Sequence, residues 1–170
     1  DVALSDLHKP YMEIVAVNDV SEPDAIVHLI KYDSVHGVSK RRISKENNHV
    51  CINGTSIRYF SESSPENIPW DEYGVDAVLE STGRFVTYES ASKHLRGRVE
   101  YVVISNPPEG ELDNIQMIVA GVNDDKLDLD KYRVISNASC TTNCLAPLAY
   151  VLNKEFGIQK GTMLTIHSYT

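Results

Sequence analysis

Arg133-Val134-Ile135-Ser136-Asn137-Ala138-Ser139-Cys140-Thr141-Thr142-Asn143-Cys144 opens on a short β-branched run, crosses small polar residues and ends where a helical pattern begins. The first part reads as a strand. From Ser139 the pattern is helical: Leu145, Leu148, Ala149 and Leu152 lead to Gly157, which reads as a C-terminal glycine cap. Pro147 lies inside this helix and is expected to kink it. Upstream, similar apolar runs recur at Ile14-Val15-Ala16-Val17, Ala77-Val78-Leu79, Tyr101-Val102-Val103-Ile104 and Met117-Ile118-Val119-Ala120. Continuous apolar strands of this kind are expected to be buried on both faces, in a mostly parallel sheet covered by helices.

Helical patterns lie between some of these runs. Pro23 to Tyr32 puts Ala25, Ile26, Leu29 and Ile30 on one stripe, with Ser21 as the expected cap and Pro23 in the first turn. A second helix is expected from Tyr88 to Leu95. Val50-Cys51-Ile52 and Ser56-Ile57-Arg58-Tyr59-Phe60 flank Asn53-Gly54, the dipeptide best suited to a hairpin turn, and predict an antiparallel excursion. A last strand is expected from Thr162 to His167. The sum is an α/β fold with a doubly wound, mostly parallel sheet. No repeat or low-complexity linker separates domains, so the boundary is expected as a change of role near Asn137.

The chain has 170 residues, 42% hydrophobic and 24% charged, which is enough for a core. Its net charge of -8 disfavours a nucleic acid or an anionic membrane as partner. No apolar run reaches the roughly eighteen residues of a membrane span. Cys51, Cys140 and Cys144 form no disulfide framework, which suits a reducing, cytoplasmic setting. The start, Asp1-Val2-Ala3-Leu4-Ser5, has neither an initiator methionine nor a signal pattern, and both ends read as cut.

In a doubly wound sheet, ligands sit at the carboxyl ends of the strands. Asp19 follows the first strand, where a carboxylate can accept both hydroxyls of an adenosine ribose and repel a 2′-phosphate, although an aspartate after a strand is more often a turn or helix-cap residue. Glu80-Ser81-Thr82-Gly83 closes another strand, and its small residues either admit a flat ligand or make an ordinary turn. Cys140 falls in the first turn of a helix, where free N–H groups and the helix dipole favour a thiolate, so it is a candidate nucleophile. Ser139 and Thr141 add hydroxyls beside those donors, suited to phosphate or an oxyanion as well as to capping.

Cys144 is assigned a packing or supporting role, and Cys51 that of a small apolar residue. Cys-x3-Cys without a second pair argues against zinc, and no metal site is expected. Of His8, His28, His36, His49, His94 and His167, only His167 ends a strand after the nucleophile's helix, where an imidazole can take and return the proton. His28 and His94 read as helix surface or core-edge residues.

The stretch from Ser136 through Cys140 to Leu145-Ala146-Pro147-Leu148-Ala149 closely resembles the active-site signature of phosphorylating glyceraldehyde-3-phosphate dehydrogenases. Val17-Asn18-Asp19, Lys31-Tyr32-Asp33-Ser34-Val35-His36-Gly37, Glu80-Ser81-Thr82-Gly83, Gly121-Val122-Asn123 and His167-Ser168-Tyr169-Thr170 extend the likeness over nearly the whole chain. The resemblance implies a Rossmann-type NAD-binding domain at residues 1–137, lacking its first strand and helix, then the start of an α+β catalytic domain at 138–170. It implies Cys140 as nucleophile and His167 as its activating base. Asp19, Ser81, Thr82, Gly83 and Ser105 would bind NAD, and Ser139, Thr141 and Thr170 would bind substrate and phosphate. The implied reaction joins glyceraldehyde 3-phosphate and inorganic phosphate through a cysteine thioester, usually in a homotetramer.

Ser63 stands where the family has an arginine, and the link from Ser105 to Asn114 is longer than usual. The glycine-rich phosphate loop is expected upstream of Asp1, so the chain as it stands is expected to be catalytically incomplete. Erythrose 4-phosphate as substrate, or a non-catalytic binding module, are the alternatives.

Overall fold

A computed structural model describes residues 12–167. They divide into two compact units, one running to Asp76 and including Arg96–Val99, the other built from Ala77–Leu95 and the residues from Glu100 onward.

The first unit contains β1 (Ala16–Asn18), α1 (Pro23–Lys31), β2 (Tyr32–Asp33), β3 (Gly37–Val38), β4 (Ile43–Glu46), β5 (His49–Ile52) and β6 (Thr55–Phe60). Its sheet runs β1-β6-β5-β4. Only the β1–β6 pair is parallel, with Ala16 opposite Arg58. The expected hairpin forms between β5 and β6, with Asn53 and Gly54 at φ 51° and 89°, the left-handed values such a turn demands. A second tight turn at Asn47 (φ 51°) adds β4, which Ile43-Ser44-Lys45-Glu46 is too polar to announce. Ile26, Val27 and Ile30 of α1 pack on the buried Val50, Ile52, Ile57 and Tyr59. Ser21 is not the helix cap. Pro23 takes the first helical position, Glu22 becomes the cap, and the Ser21 amide donates to Asp19 Oδ1 at 2.7 Å.

In the second unit lie β7 (Ala77–Glu80), α2 (Tyr88–Ala91), β8 (Tyr101–Ile104), β9 (Ile115–Met117), β10 (Val134–Ser136) and α3 (Cys140–Phe156). The sheet order is β7-β8-β10-β9, and every pair is parallel. The α/β class with parallel strands is thus as expected, but the described strands form separate sheets instead of one.

Ala91, Val102, Ile104, Ile115 and Val134 make the core of the second unit, joined by Val86 and Leu95. In β7 burial is one-sided, contrary to expectation: alternate residues point away from the core and leave Leu79 at 55% exposure, whereas β10 is buried along its whole length.

The helix expected to reach Leu95 is one α turn, capped by reciprocal Thr87–Ser90 bonds, and then a tighter 3₁₀ turn at Ser92–His94. That turn carries His94 inward to 2% exposure, correcting its surface or core-edge placement. There Nε2 donates to Glu80 Oε2 at 3.1 Å. The α3 helix continues through Pro147 to Gly157. No strand forms at 162–167, because a strand requires a ladder partner and none of the described strands pairs with this segment. No described helix is long and apolar enough to cross a membrane.

Burial opposes ionisation of Glu80, yet hydrogen bonds from His94 and Thr82 outweigh it and hold the carboxyl below its ordinary value of 4.5. A carboxyl depressed in the folded state contributes stability above its unfolded value and loses it as pH falls through the folded one. Stability is therefore expected to fall as pH drops below about 4.5, and Glu80→Gln to flatten that part of the curve, in urea unfolding midpoints from about pH 6 to pH 3. An unchanged acid slope in the variant would assign it to other groups.

Candidate active site

Ser136 ends β10 fully buried. Its hydroxyl donates to the Asn106 carbonyl at 2.7 Å and accepts the Ala138 amide at 3.0 Å. Between them, the Asn137 amide donates to the Ile104 carbonyl at 2.9 Å, carrying the sheet ladder one residue further. Ala138 then adopts φ 58°, a left-handed conformation that costs a residue with a Cβ about 1–2 kcal/mol. Buried at 5% exposure and tied at its amide, it is held there by its surroundings.

Ser139 caps α3: its Oγ accepts the Thr142 amide at 2.9 Å and lies 2.7 Å from Thr142 Oγ1. Asn143 reaches back from the helix, its Nδ2 donating to the carbonyls of Asn137 at 2.6 Å and Ser139 at 3.0 Å. With both ends of the bend tied, Cys140 becomes the first residue of the helix and is exposed. The amides of Cys140 and Thr141 have no acceptor among the described residues, so two donors stand free at the positive end of the helix.

The His167 ring lies against this turn, Nε2 being 3.1 Å from Thr141 Oγ1. The imidazole therefore meets the residue beside Cys140; no hydrogen bond joins it to the thiol itself. Cys144 is exposed rather than packed, and Cys51 is buried in β5 as a small apolar residue. Thr170 lies outside the described residues. Among those described, no three His, Cys, Asp or Glu side chains form a metal-binding cluster.

At the end of β7 the chain turns through Ser81-Thr82-Gly83, all exposed. Glu80 Oε1 accepts the Thr82 amide at 2.8 Å and also the Thr82 hydroxyl. Gly83 sits at φ 71°, and a Cβ there would lie 3.8 Å from the Asn106 amide nitrogen. The Ser105 amide donates to the Glu80 carbonyl at 3.0 Å, and its hydroxyl to Asn106 Oδ1 at 3.1 Å. The second unit thus gathers residues 81–83, 105–106 and 136–140 along one edge of its sheet.

Asp19, in the first unit, is anchored separately. Its amide donates to Phe60 O at 3.1 Å, and the Tyr59 hydroxyl donates to its carbonyl at 2.8 Å and to that of Ser21. Burial foremost, then the charges of Asp19 and Glu22, push Tyr59 up to about 12, so its proton stays in place as a donor. Asp19 Oδ1 takes the Ser21 amide, and Oδ2 has no partner among the described residues. A fixed carboxylate with a free oxygen suits a ligand hydroxyl, and an open turn of small residues suits a flat ring.

The sequence reading passed over Asn106, Asn143 and Ser136 as parts of this site. Their partners are mostly backbone groups, which no side-chain spacing announces. Glu80 was noted only as the close of a strand, although a carboxylate ending a buried run was a signal that a donor must lie nearby.

Residues 2–88 match the family described as glyceraldehyde 3-phosphate dehydrogenase, NAD binding domain, and residues 139–170 match the corresponding C-terminal domain. The chain is 51% identical to the glyceraldehyde-3-phosphate dehydrogenase of Geobacillus stearothermophilus over 164 residues, covering 96% of this chain and 48% of that protein. It is 46% identical, with the same coverage, to glyceraldehyde-3-phosphate dehydrogenase 1 of Bacillus cereus and to the glyceraldehyde-3-phosphate dehydrogenase of Mycoplasma pneumoniae. It spans about half the length of these relatives. Matched across its first half by the NAD-binding domain and again from Ser139, the chain belongs to the glyceraldehyde-3-phosphate dehydrogenase family.

Proposed function

We propose that the complete protein oxidises glyceraldehyde 3-phosphate with NAD in the presence of inorganic phosphate, and that Cys140 is the nucleophile. The observation that carries this reading is the bend at Ala138, which leaves Cys140 exposed at the first position of a capped helix beside two unpaired amides. Negative charge is favoured there, whether a thiolate, a developing oxyanion or a phosphate oxygen.

The thiolate of Cys140 adds to the aldehyde carbon, and the amides of Cys140 and Thr141 take up the charge that develops on its oxygen. NAD, when bound, supplies the hydride acceptor that turns the resulting hemithioacetal into a thioester. A phosphate oxygen then attacks the thioester carbon, the carbon–sulfur bond breaks, and the acyl phosphate leaves Cys140 as thiolate again. His167 moves the proton: it takes one from the thiol, returns it to the oxyanion as the hemithioacetal forms, and takes it again from that hydroxyl as the carbonyl forms. Its ring is held at Thr141, next to the sulfur-bearing residue.

Ser139 and Thr141 border the same free donors, and Thr170 is assigned to the substrate's own phosphate through its match to the family pattern. For NAD, Asp19 offers its free oxygen to the ribose, while Ser81, Thr82, Gly83 and Ser105 offer the surface of small residues. A homotetramer in the cytoplasm completes the reading; the formal charge of -8 argues against nucleic acid or an anionic membrane as partner.

Cys140→Ser is expected to lower kcat by more than about 10³-fold in steady-state assays of NAD reduction; retention of most activity would remove Cys140 as nucleophile. Erythrose 4-phosphate, tested beside glyceraldehyde 3-phosphate, should give the smaller kcat/KM. At neutral pH, Cys140 is expected to react with iodoacetamide faster than the buried Cys51, as resolved by peptide mass spectrometry. Equal rates would argue against an activated thiol. Asp19→Ala is expected to weaken NAD binding about tenfold and to narrow the gap between NAD and NADP, read as dissociation constants. An unaltered ratio would detach Asp19 from the ribose.

A further inference from the structure

Glu80 has no part in the chemistry above, yet it is a carboxylate at 4% exposure with both oxygens engaged. Oε1 takes the amide and hydroxyl of Thr82, and Oε2 takes His94 Nε2. The His94 ring is in turn set edge-on to Phe85, centroids 6.4 Å apart at 87°. Apolar side chains in place of both Glu80 and His94 would fill the same space without desolvating a charge, and replacing a whole buried pair in this way is often neutral for stability. What only the acceptor provides is the conformation of the exposed turn that follows. Thr82 spends its hydroxyl proton on Glu80, and its Oγ1 accepts the Arg84 amide at 3.2 Å. It has no donor left for a ligand. The ligand-facing groups of the turn are then the Ser81 hydroxyl, which has no partner among the described residues, and the backbone of Gly83.

We propose that Glu80 is a positioning residue for NAD, acting through Thr82 to hold residues 81–83 so that Ser81 and Gly83 meet the cofactor, with His94 bracing the carboxylate from behind. The inference rests on NAD as cofactor.

The test uses the complete protein. Glu80→Leu removes both acceptors, whereas Glu80→Gln keeps an oxygen for Thr82 and an amide group towards His94. Glu80→Leu is expected to weaken NAD binding in calorimetry about tenfold, leaving kcat at saturating NAD within about threefold, and to speed hydrogen exchange at the Thr82 amide. Glu80→Gln should restore binding to within about threefold of the parent. Ile115→Ala, a core truncation in the same sheet, controls for lost stability: it should lower the melting temperature without changing NAD affinity. If Glu80→Leu does not fold, Thr82→Val deletes only a hydroxyl on the exposed turn; a weakening of about threefold, reversed in Thr82→Ser, supports the proposal.

Parent-like NAD affinity in Glu80→Leu or Thr82→Val, or an equal loss in Ile115→Ala, overturns it. A parent protein that fails to bind NAD overturns the cofactor reading instead.

Discussion

Parallel register in the second unit levels the strand ends. Glu80 and Ser136 both lie opposite Ile104, and Ser136 lies opposite Met117, so four strands finish side by side. The ladder goes one bond further at each step: Ser105 to Glu80, Asn137 to Ile104, Ile118 to Ser136. Each segment leaving the sheet therefore starts from a fixed position, and small polar residues so close to one another make up the candidate site. A slip of one residue in any pair would turn alternate side chains to the other face and disperse it.

Polar burial follows the same geography. Among the described residues, the buried polar or charged side chains are Glu80, His94 and Ser136, all in the second unit. Glu80 and Ser136 are the last residues of their strands, and His94 completes the Glu80 pair. The remaining core of that unit is aliphatic, packed for volume and indifferent to direction. Hydrogen bonds add direction where turns must hold one shape: Ser136 for the bend before Cys140, Glu80 for the turn at Thr82.

Much of this was legible in the amino acids. Periodicity located the strand at Tyr101–Ile104 without error, and Asn53-Gly54 announced its hairpin because few other dipeptides accept two left-handed residues. The Ser139 cap and Gly157 stop bounded α3 correctly. What stayed hidden depended on distant partners. Sheet membership is one case, since among the described strands β1 pairs with a strand of the hairpin and not with another buried run. One-sided burial of β7 is another, because an apolar run reads alike whether one face or two are covered. His94 was misplaced because helical periodicity does not foresee a 3₁₀ turn that rotates a side chain inward. The roles proposed for Cys140 and His167 rest on position and family likeness; geometry adds the bend at Ala138 and the contact at Thr141.

The pairing of β1 has a bearing on biosynthesis. Its one described neighbour is β6, which leaves the ribosome well after it. The β5–β6 hairpin closes over a short loop and can form as soon as it emerges, whereas β1 must wait for that surface to exist. Both bonds that fasten the Asp19 backbone come from Tyr59 and Phe60, the last residues of β6. A nascent chain stalled short of these residues carries the aspartate without its mooring.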